Sequence, residues 1–238
     1  MDKYQTAVIV GVGPGLGSAL SRKFAKEGYT VFLISRTPKN LEKIKGVIEE
    51  EGGSAVALPC DVTDAKQVET AFKHIVETFG NINILVYNAG DFETQSIIDI
   101  EPENFKSSWE TNCFGAFLCA KQAIPSMLEL SRGTIIFTGA TASMRGSAGF
   151  ARLAVGKFGL RALAQSMARE LGPEGIHVAH VIIDGQIASK ENNQSQPDRE
   201  PGSFLSPEAI SEQYWQIHIQ DKTSWTLELD LRPSVEKF

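Results

Sequence analysis

Short apolar runs recur along the chain, separated by stretches in which apolar positions follow a helical period. The runs at residues 6–10 (TAVIV), 30–34 (TVFLI), 55–58 (AVAL), 82–87 (INILVY), 134–138 (TIIFT) and 177–183 (HVAHVII) are apolar almost throughout. That is the pattern of strands buried on both faces of a parallel sheet. The segment 224–231 (SWTLELDL) alternates apolar with polar residues instead and reads as a last, partly exposed strand. Helical spacing covers residues 15–27, 38–51, 64–79, 102–130, 149–171 and 207–219. Strand–helix alternation implies right-handed crossovers, hence an α/β, doubly wound, mainly parallel seven-stranded sheet with helices on both faces. Punctuation agrees: Asp64 can cap the third helix, Gly80 can end it, and Leu171-Gly172-Pro173 stops the long one. Residues 189–206 break the rhythm; 189–202 are almost without apolar side chains and read as a flexible surface loop or lid. A length of 238 residues suits one domain, 1–238.

Composition narrows the class of partner. A formal net charge of −6 opposes a surface that tracks nucleic-acid phosphates. Three cysteines, Cys60, Cys113 and Cys119, make no disulfide framework. His177 and His180 lie three apart in a strand, on opposite faces, so no metal site is expected. No apolar run approaches the roughly 18 residues that a membrane span needs, and no charged-then-apolar leader precedes the first strand. The expected setting is therefore cytoplasmic, with no membrane partner.

Chemistry enters at Gly11-Val12-Gly13-Pro14-Gly15-Leu16-Gly17, which follows the first strand and opens a helix. Glycines let backbone approach a pyrophosphate, and the helix N-terminus supplies free N–H groups and a favourable dipole. In this context the motif predicts a Rossmann-type dinucleotide site. The second strand ends in Ser35-Arg36, without the acidic residue that accepts ribose hydroxyls in NAD sites. A guanidinium pairs with a 2′-phosphate, so NADP(H) is favoured over NAD(H).

Gly11, Gly15 and Gly17, with Asp61-Val62, Asn88-Ala89-Gly90 and Asn112, resemble the short-chain dehydrogenase/reductase family over nearly the whole chain. The resemblance implies that Asp61 and Val62 meet the adenine and that Asn112 belongs to a catalytic tetrad. It makes Gly185, Ile187 and Ser189 candidates for the nicotinamide side, with Asp184 in place of a usual proline. It also implies hydride transfer between a nicotinamide and a small carbonyl or alcohol. A tyrosine would move the proton, a lysine four residues later would assist it, and a serine thirteen residues before the tyrosine would steady the oxyanion.

Lys157 matches the lysine, but Leu153 stands at the tyrosine position and Ala140 at the serine position. Substitutes can come from Lys157 itself, or from Thr138, Thr141, Ser143, Arg145 and Arg152 nearby. Two readings follow: an oxidoreductase with an atypical or impaired proton donor, or a non-catalytic NADP(H)-binding sensor or regulatory subunit. A third, an isomerase or lyase with tightly held cofactor, has no positive support. Small residues at Ala151, Ala154, Gly156, Gly159 and Ala162 permit close helix approach, and with the resemblance they suggest a homodimer or homotetramer. Residues 207–219 carry Ile210, Tyr214, Trp215 and Ile217 at near-helical spacing, either as core or as cover for the substrate pocket.

Overall fold

The computed structural model describes residues 5–189, 192, 194, 200 and 202–235. Thr6–Val10 forms β1, with all five residues buried. Its side chains alternate between two apolar layers. Val8 and Val10 enter one with Phe32, Phe72, Met127 and Leu160. Ala7 and Ile9 enter the other with Leu20, Phe24, Leu41 and Tyr214. A strand covered on both faces has no solvent side, so period-two polarity has nothing to select it.

The chain continues through α1 (Leu16–Lys26), β2 (Thr30–Ser35), α2 (Pro38–Glu50), β3 (Ser54–Pro59) and α3 (Ala65–Phe79). It then forms β4 (Ile84–Tyr87), α4 (Pro102–Trp109), α5 (Gly115–Leu130), β5 (Gly133–Thr138), α6 (Ala151–Leu171) and β6 (Ile176–Ile183). The short β7 (Gln186–Ile187) and β8 (Phe204–Leu205) precede α7 (Pro207–His218) and β9 (Glu228–Leu231). Seven strands make one sheet in the order β3-β2-β1-β4-β5-β6-β9. Every pairing in it is parallel. Asp64 caps α3 as expected, accepting from the amides of Lys66 and Gln67 at 2.9 and 3.1 Å.

Several expectations are corrected. The helix read over 102–130 is interrupted by a π-turn, Glu110–Phe114, which re-aims Asn112. The last strand begins only at Glu228. Before it, Trp225 turns to stack on His177 at 4.8 Å, and His177 Nε2 lies 2.8 Å from the Thr226 carbonyl. Two of the small residues of α6 allow close approach within the chain: a Cβ on Gly156 would stand 2.6 Å from Asn112 Cβ, and one on Gly159 2.9 Å from Cys113 Sγ. Helix α7 lies against α1, with Lys23 Nζ 2.6 Å from Glu212 and Trp215 edge-on to Phe24, and it does not border the cavity lined by Ala140 and Leu153. Much of the loop read as a lid, 190–201, lies outside the described residues.

Candidate functional site

From β1 the chain builds outward to β2 and β3, then crosses to the other side of β1 and proceeds through β4 and β5. The loops leaving β1 and β4 therefore diverge, and the crevice between them is where open α/β sheets bind ligands. Gly11 ends β1 at φ +87°, and a Cβ there would stand 2.3 Å from the Ala89 nitrogen. Asn88 fastens the two loops, its Nδ2 donating to Gly11 O at 3.0 Å. Gly17 is tight as well, with a Cβ 2.6 Å from Gly11 O, whereas Cβ atoms on Gly13 and Gly15 would meet nothing within 4 Å. The first pair of glycines thus folds the loop and the second pair borders open space. Helix α1 starts at Leu16 with neither a side-chain cap nor an acidic residue in its first turn, leaving its positive end to an anion. Leu16 itself is buried and anchors that turn in the core.

A cleft of about 240 Å³ opens here, bordered by Gly11, Gly13, Ser35, Arg36, Asp61, Val62, Asn88, Ala89 and Gly90. The Ser35 hydroxyl is buried without a hydrogen-bond partner. Arg36 is exposed and forms no ion pair among the described residues. Asp61 is occupied by its own turn, accepting from the Thr63 amide at 3.0 Å and hydroxyl at 2.8 Å. These groups fit a dinucleotide with a further phosphate on its adenosine ribose: a cradle of backbone, an orphaned hydroxyl and an uncommitted cation, with no carboxylate at the end of β2.

A second cavity of about 440 Å³ lies at the C-terminal ends of β5 and β6, lined in part by Ala140, Thr141, Leu153, Ile183, Asp184 and Gly185. The alanine and leucine at the expected serine and tyrosine positions thus face one space. Thr141 Oγ1 donates to Asp184 Oδ1 at 2.5 Å, and Arg232 Nη1 is 3.5 Å from Asp184 Oδ2. Among the proposed substitutes, Thr141 and Arg145 border this cavity. The others are engaged elsewhere. Thr138 pairs with the Tyr214 hydroxyl at 2.9 Å. Ser143 is buried, with its Oγ accepting from the Ala140 amide and 3.3 Å from His180 Nε2. Arg152 is buried against Asp91, at 2.9 Å, and Glu93.

Asn112 is fully buried in the π-turn, where its Nδ2 donates to the carbonyls of Asp91 and Ser108, each at 3.0 Å. Turns of this kind often sit at functional sites. Lys157 is buried too, its Nζ donating to Thr138 O at 2.8 Å. Burial lowers its pKa to about 8. A Cβ on Gly90 would stand 3.3 Å from Asn112 Oδ1 and 3.6 Å from Lys157 Nζ, so the structure brings Gly90, Asn112 and Lys157 together. Gly185 lines the second cavity, and a Cβ there would crowd Leu205 Cδ1 at 2.9 Å. Ile187 and Ser189 border neither space: Ile187 pairs with Leu205, and Ser189 Oγ accepts from the Asn192 amide. The Arg152 clamp on residues 91 and 93 escaped the sequence reading, although a cation beside Leu153 and two acids after Gly90 were its visible signs.

A parallel doubly wound sheet with this cradle at its switch point defines a dinucleotide-binding α/β protein. Residues 5–200 match the short chain dehydrogenase family, and the chain belongs to that family of NAD(P)-dependent oxidoreductases. A 3-oxoacyl-acyl-carrier-protein reductase of Staphylococcus aureus is 31% identical over 192 residues, 79% of this chain and 77% of the relative. The crystal structure of a short-chain dehydrogenase from Rhodopseudomonas palustris is similar with 37% identity and TM-score 0.83, over 96% of this chain and 98% of that one. An alcohol dehydrogenase from Thermococcus sibiricus, complexed with 5-hydroxy-NADP, is 26% identical with TM-score 0.87, over 98% of each chain. No helix among the described residues is long and apolar enough to cross a membrane, and no cluster of metal-ligating side chains occurs among them.

Proposed function

We propose that this chain, as one dinucleotide-binding unit over residues 1–238, is an NADP(H)-dependent oxidoreductase of a small carbonyl or alcohol whose proton donor is not the family's tyrosine. The observation that carries the cofactor preference is Arg36, uncommitted at the end of β2 beside the orphaned Ser35 hydroxyl. When bound, the nicotinamide supplies the carbon that gives or takes a hydride. The chain's residues do the rest. The glycine loop and the α1 N-terminus hold the pyrophosphate, and Arg36 pairs with the 2′-phosphate while Ser35 adds a hydrogen bond. Asp61 and Val62 shape the adenine end, and Asn88, Ala89 and Gly90 set the floor. Lys157, whose Nζ the Thr138 carbonyl aims, and Asn112 hold the ribose side, with Gly185 toward the nicotinamide. The relatives named for 3-oxoacyl and alcohol substrates support the carbonyl/alcohol class.

Assembly as a homodimer or homotetramer belongs to this reading. Trp109 and Phe117, partly exposed, stack through Phe114, and α6, where a Cβ on Gly159 would stand 4.0 Å from Trp109 Nε1, carries exposed Val155 and Phe158. The second reading, a cofactor-binding protein without turnover, is favoured by Ala140 and Leu153 alone.

The test is calorimetric titration with NADPH and NADH, before and after Arg36→Ala. A charged hydrogen-bonded pair is worth about 1.5–3 kcal/mol, so Arg36→Ala is expected to weaken NADPH roughly 10–100-fold. NADH binding should change little. Equal weakening of both, or no binding of either, would overturn the cofactor assignment.

A further inference from the structure

We propose that Thr141 and Asp184 form the proton relay of the substrate cavity, in place of the missing tyrosine. The inference rests on the oxidoreductase reading above and concerns the space where Ala140 and Leu153 stand at the serine and tyrosine positions. Ala140, Ala142, Phe150, Leu153 and Ile183 make much of that lining apolar. Asp184 is the one carboxyl group in the lining among the described residues, and Thr141 is the hydroxyl bonded to it at 2.5 Å. The direction of that bond matters. Thr141 spends its proton on Asp184, so the lone pairs of its oxygen remain for an incoming O–H.

Backbone and charge hold the pair in place. Thr141 opens the short 3₁₀ turn Thr141–Ser143 after β5. Asp184 directly follows β6, its amide bonded to Leu231 O of β9 at 2.8 Å. Arg232 lies 3.5 Å from the other carboxylate oxygen and is also paired with Asp230. The side chain of Asp184 retains 16% exposure, enough for a proton to leave to water. Arg145 also borders the cavity, but a guanidinium does not give up its proton. Lys157 is not part of the lining, and its Nζ is held by the Thr138 carbonyl.

With an alcohol and the oxidised nicotinamide bound, the bookkeeping of atoms closes. The oxidised nicotinamide, when bound, would supply the acceptor for the carbinol C–H electron pair as hydride. The substrate O–H bond breaks as its proton passes to Thr141 Oγ1, while the proton already on Thr141 passes to Asp184 Oδ1. A C=O bond forms, and Asp184 ends protonated. Carbonyl reduction runs the same path backward from the protonated acid. Transfer through a hydroxyl asks Thr141 for no free alkoxide, because the two protons move together.

The experiment uses the full chain and two readouts. First, cyclohexanol, 1-phenylethanol and ethyl 3-hydroxybutyrate are offered with NADP⁺, and the matching ketones with NADPH, while calorimetry follows cofactor binding. Since a positioned base contributes about 10²–10⁴-fold, Asp184→Asn and Thr141→Val should each cut kcat by at least ~100-fold, Thr141→Ser by under ~10-fold, and NADPH affinity should stay within about threefold. The rescue by serine separates a lost hydroxyl from lost packing. Second, methyl-labelled threonine spectra of the cofactor-free protein are titrated with acid. The Thr141 methyl resonance, assigned by its loss in Thr141→Val, should follow the ionisation of Asp184 and go flat in Asp184→Asn. Turnover that survives Asp184→Asn, an unresponsive Thr141 resonance, or bound NADPH with no turnover of any panel member would overturn the relay. Failure to bind NADPH would instead overturn the cofactor reading on which the relay rests.

Discussion

At the scale of single residues, Lys157 and the pair Thr141–Asp184 owe their chemistry to what surrounds them in the fold. Leu153 and Ala140 are legible as vacancies because a tyrosine or serine is defined by its own chemistry. The groups that face the space they leave are defined by contact. Thr141 could be named as a neighbour in the chain, but its partner Asp184 lies 43 positions away. Lys157 shows the same limit: its position was legible, its environment was not. Burial lowers its pKa to about 8 from the 10.5 of an exposed lysine. The folded state therefore binds fewer protons than the unfolded chain between those two values, so this residue's contribution raises stability as pH climbs through that window. Below about pH 8 both states are charged there and the burial penalty is fully present. Relative to Lys157→Met, the wild type should gain on the order of 3 kcal/mol from pH 8 to 10.5, since each pKa unit is worth about 1.4 kcal/mol. Urea unfolding at both pH values checks it; parallel curves for the two proteins would show that Lys157 is ordinarily solvated.

At the scale of elements, the strands were legible because double burial writes one simple pattern, and the caps because they are local. What escaped were features fixed by distant partners. The π-turn at Glu110–Phe114 lies inside an unbroken helical period; Tyr87, donating to Thr111 O at 2.6 Å, and Asn112, tied to Asp91, are its long-range partners. The start of α6 is fixed in a similar way. Arg152 reaches Asp91 and Glu93 on the loop after β4, and the Gln95 amide bonds Gly149 O at 2.9 Å. Together they pin one wall of the second cavity to the helix that carries Leu153 and Lys157. Arg152 is 6% exposed while its acids are 38% and 59% exposed. Solvent screens the carboxylates, so the full cost of an orphaned buried charge does not apply. Arg152→Ala should cost roughly 1–3 kcal/mol, the range for charged hydrogen bonds lost with some packing. Protection from hydrogen exchange should fall first in residues 91–95, and an unchanged exchange pattern would mean that the loop is held without the clamp.

At the scale of the whole molecule, two buried imidazoles join elements far apart in the chain, and both must stay neutral. His218, at the end of α7, has its Nδ1 2.9 Å from Thr134 Oγ1 on β5 and its Nε2 2.7 Å from the Tyr29 hydroxyl just before β2. His180 on β6 lies between Ser143 and Glu228, fully buried. Desolvation lowers both to about 4 from 6.5, with neighbouring cations adding to the effect and Glu228 opposing it for His180. The unfolded chain thus binds protons that the folded one refuses between pH 6.5 and 4. The stability these groups contribute is complete above the upper value and is lost as pH falls through the lower. A fall of about 3 kcal/mol per histidine is expected across that window, again at roughly 1.4 kcal/mol per unit. His180→Asn and His218→Asn should each flatten the acid limb of the wild type when unfolding free energy is plotted from pH 7 to 4.5. The two effects should add, because the residues share no partner. Limbs that stay as steep in both variants would assign acid unfolding to the carboxylates, among them Glu228 held low by Arg161.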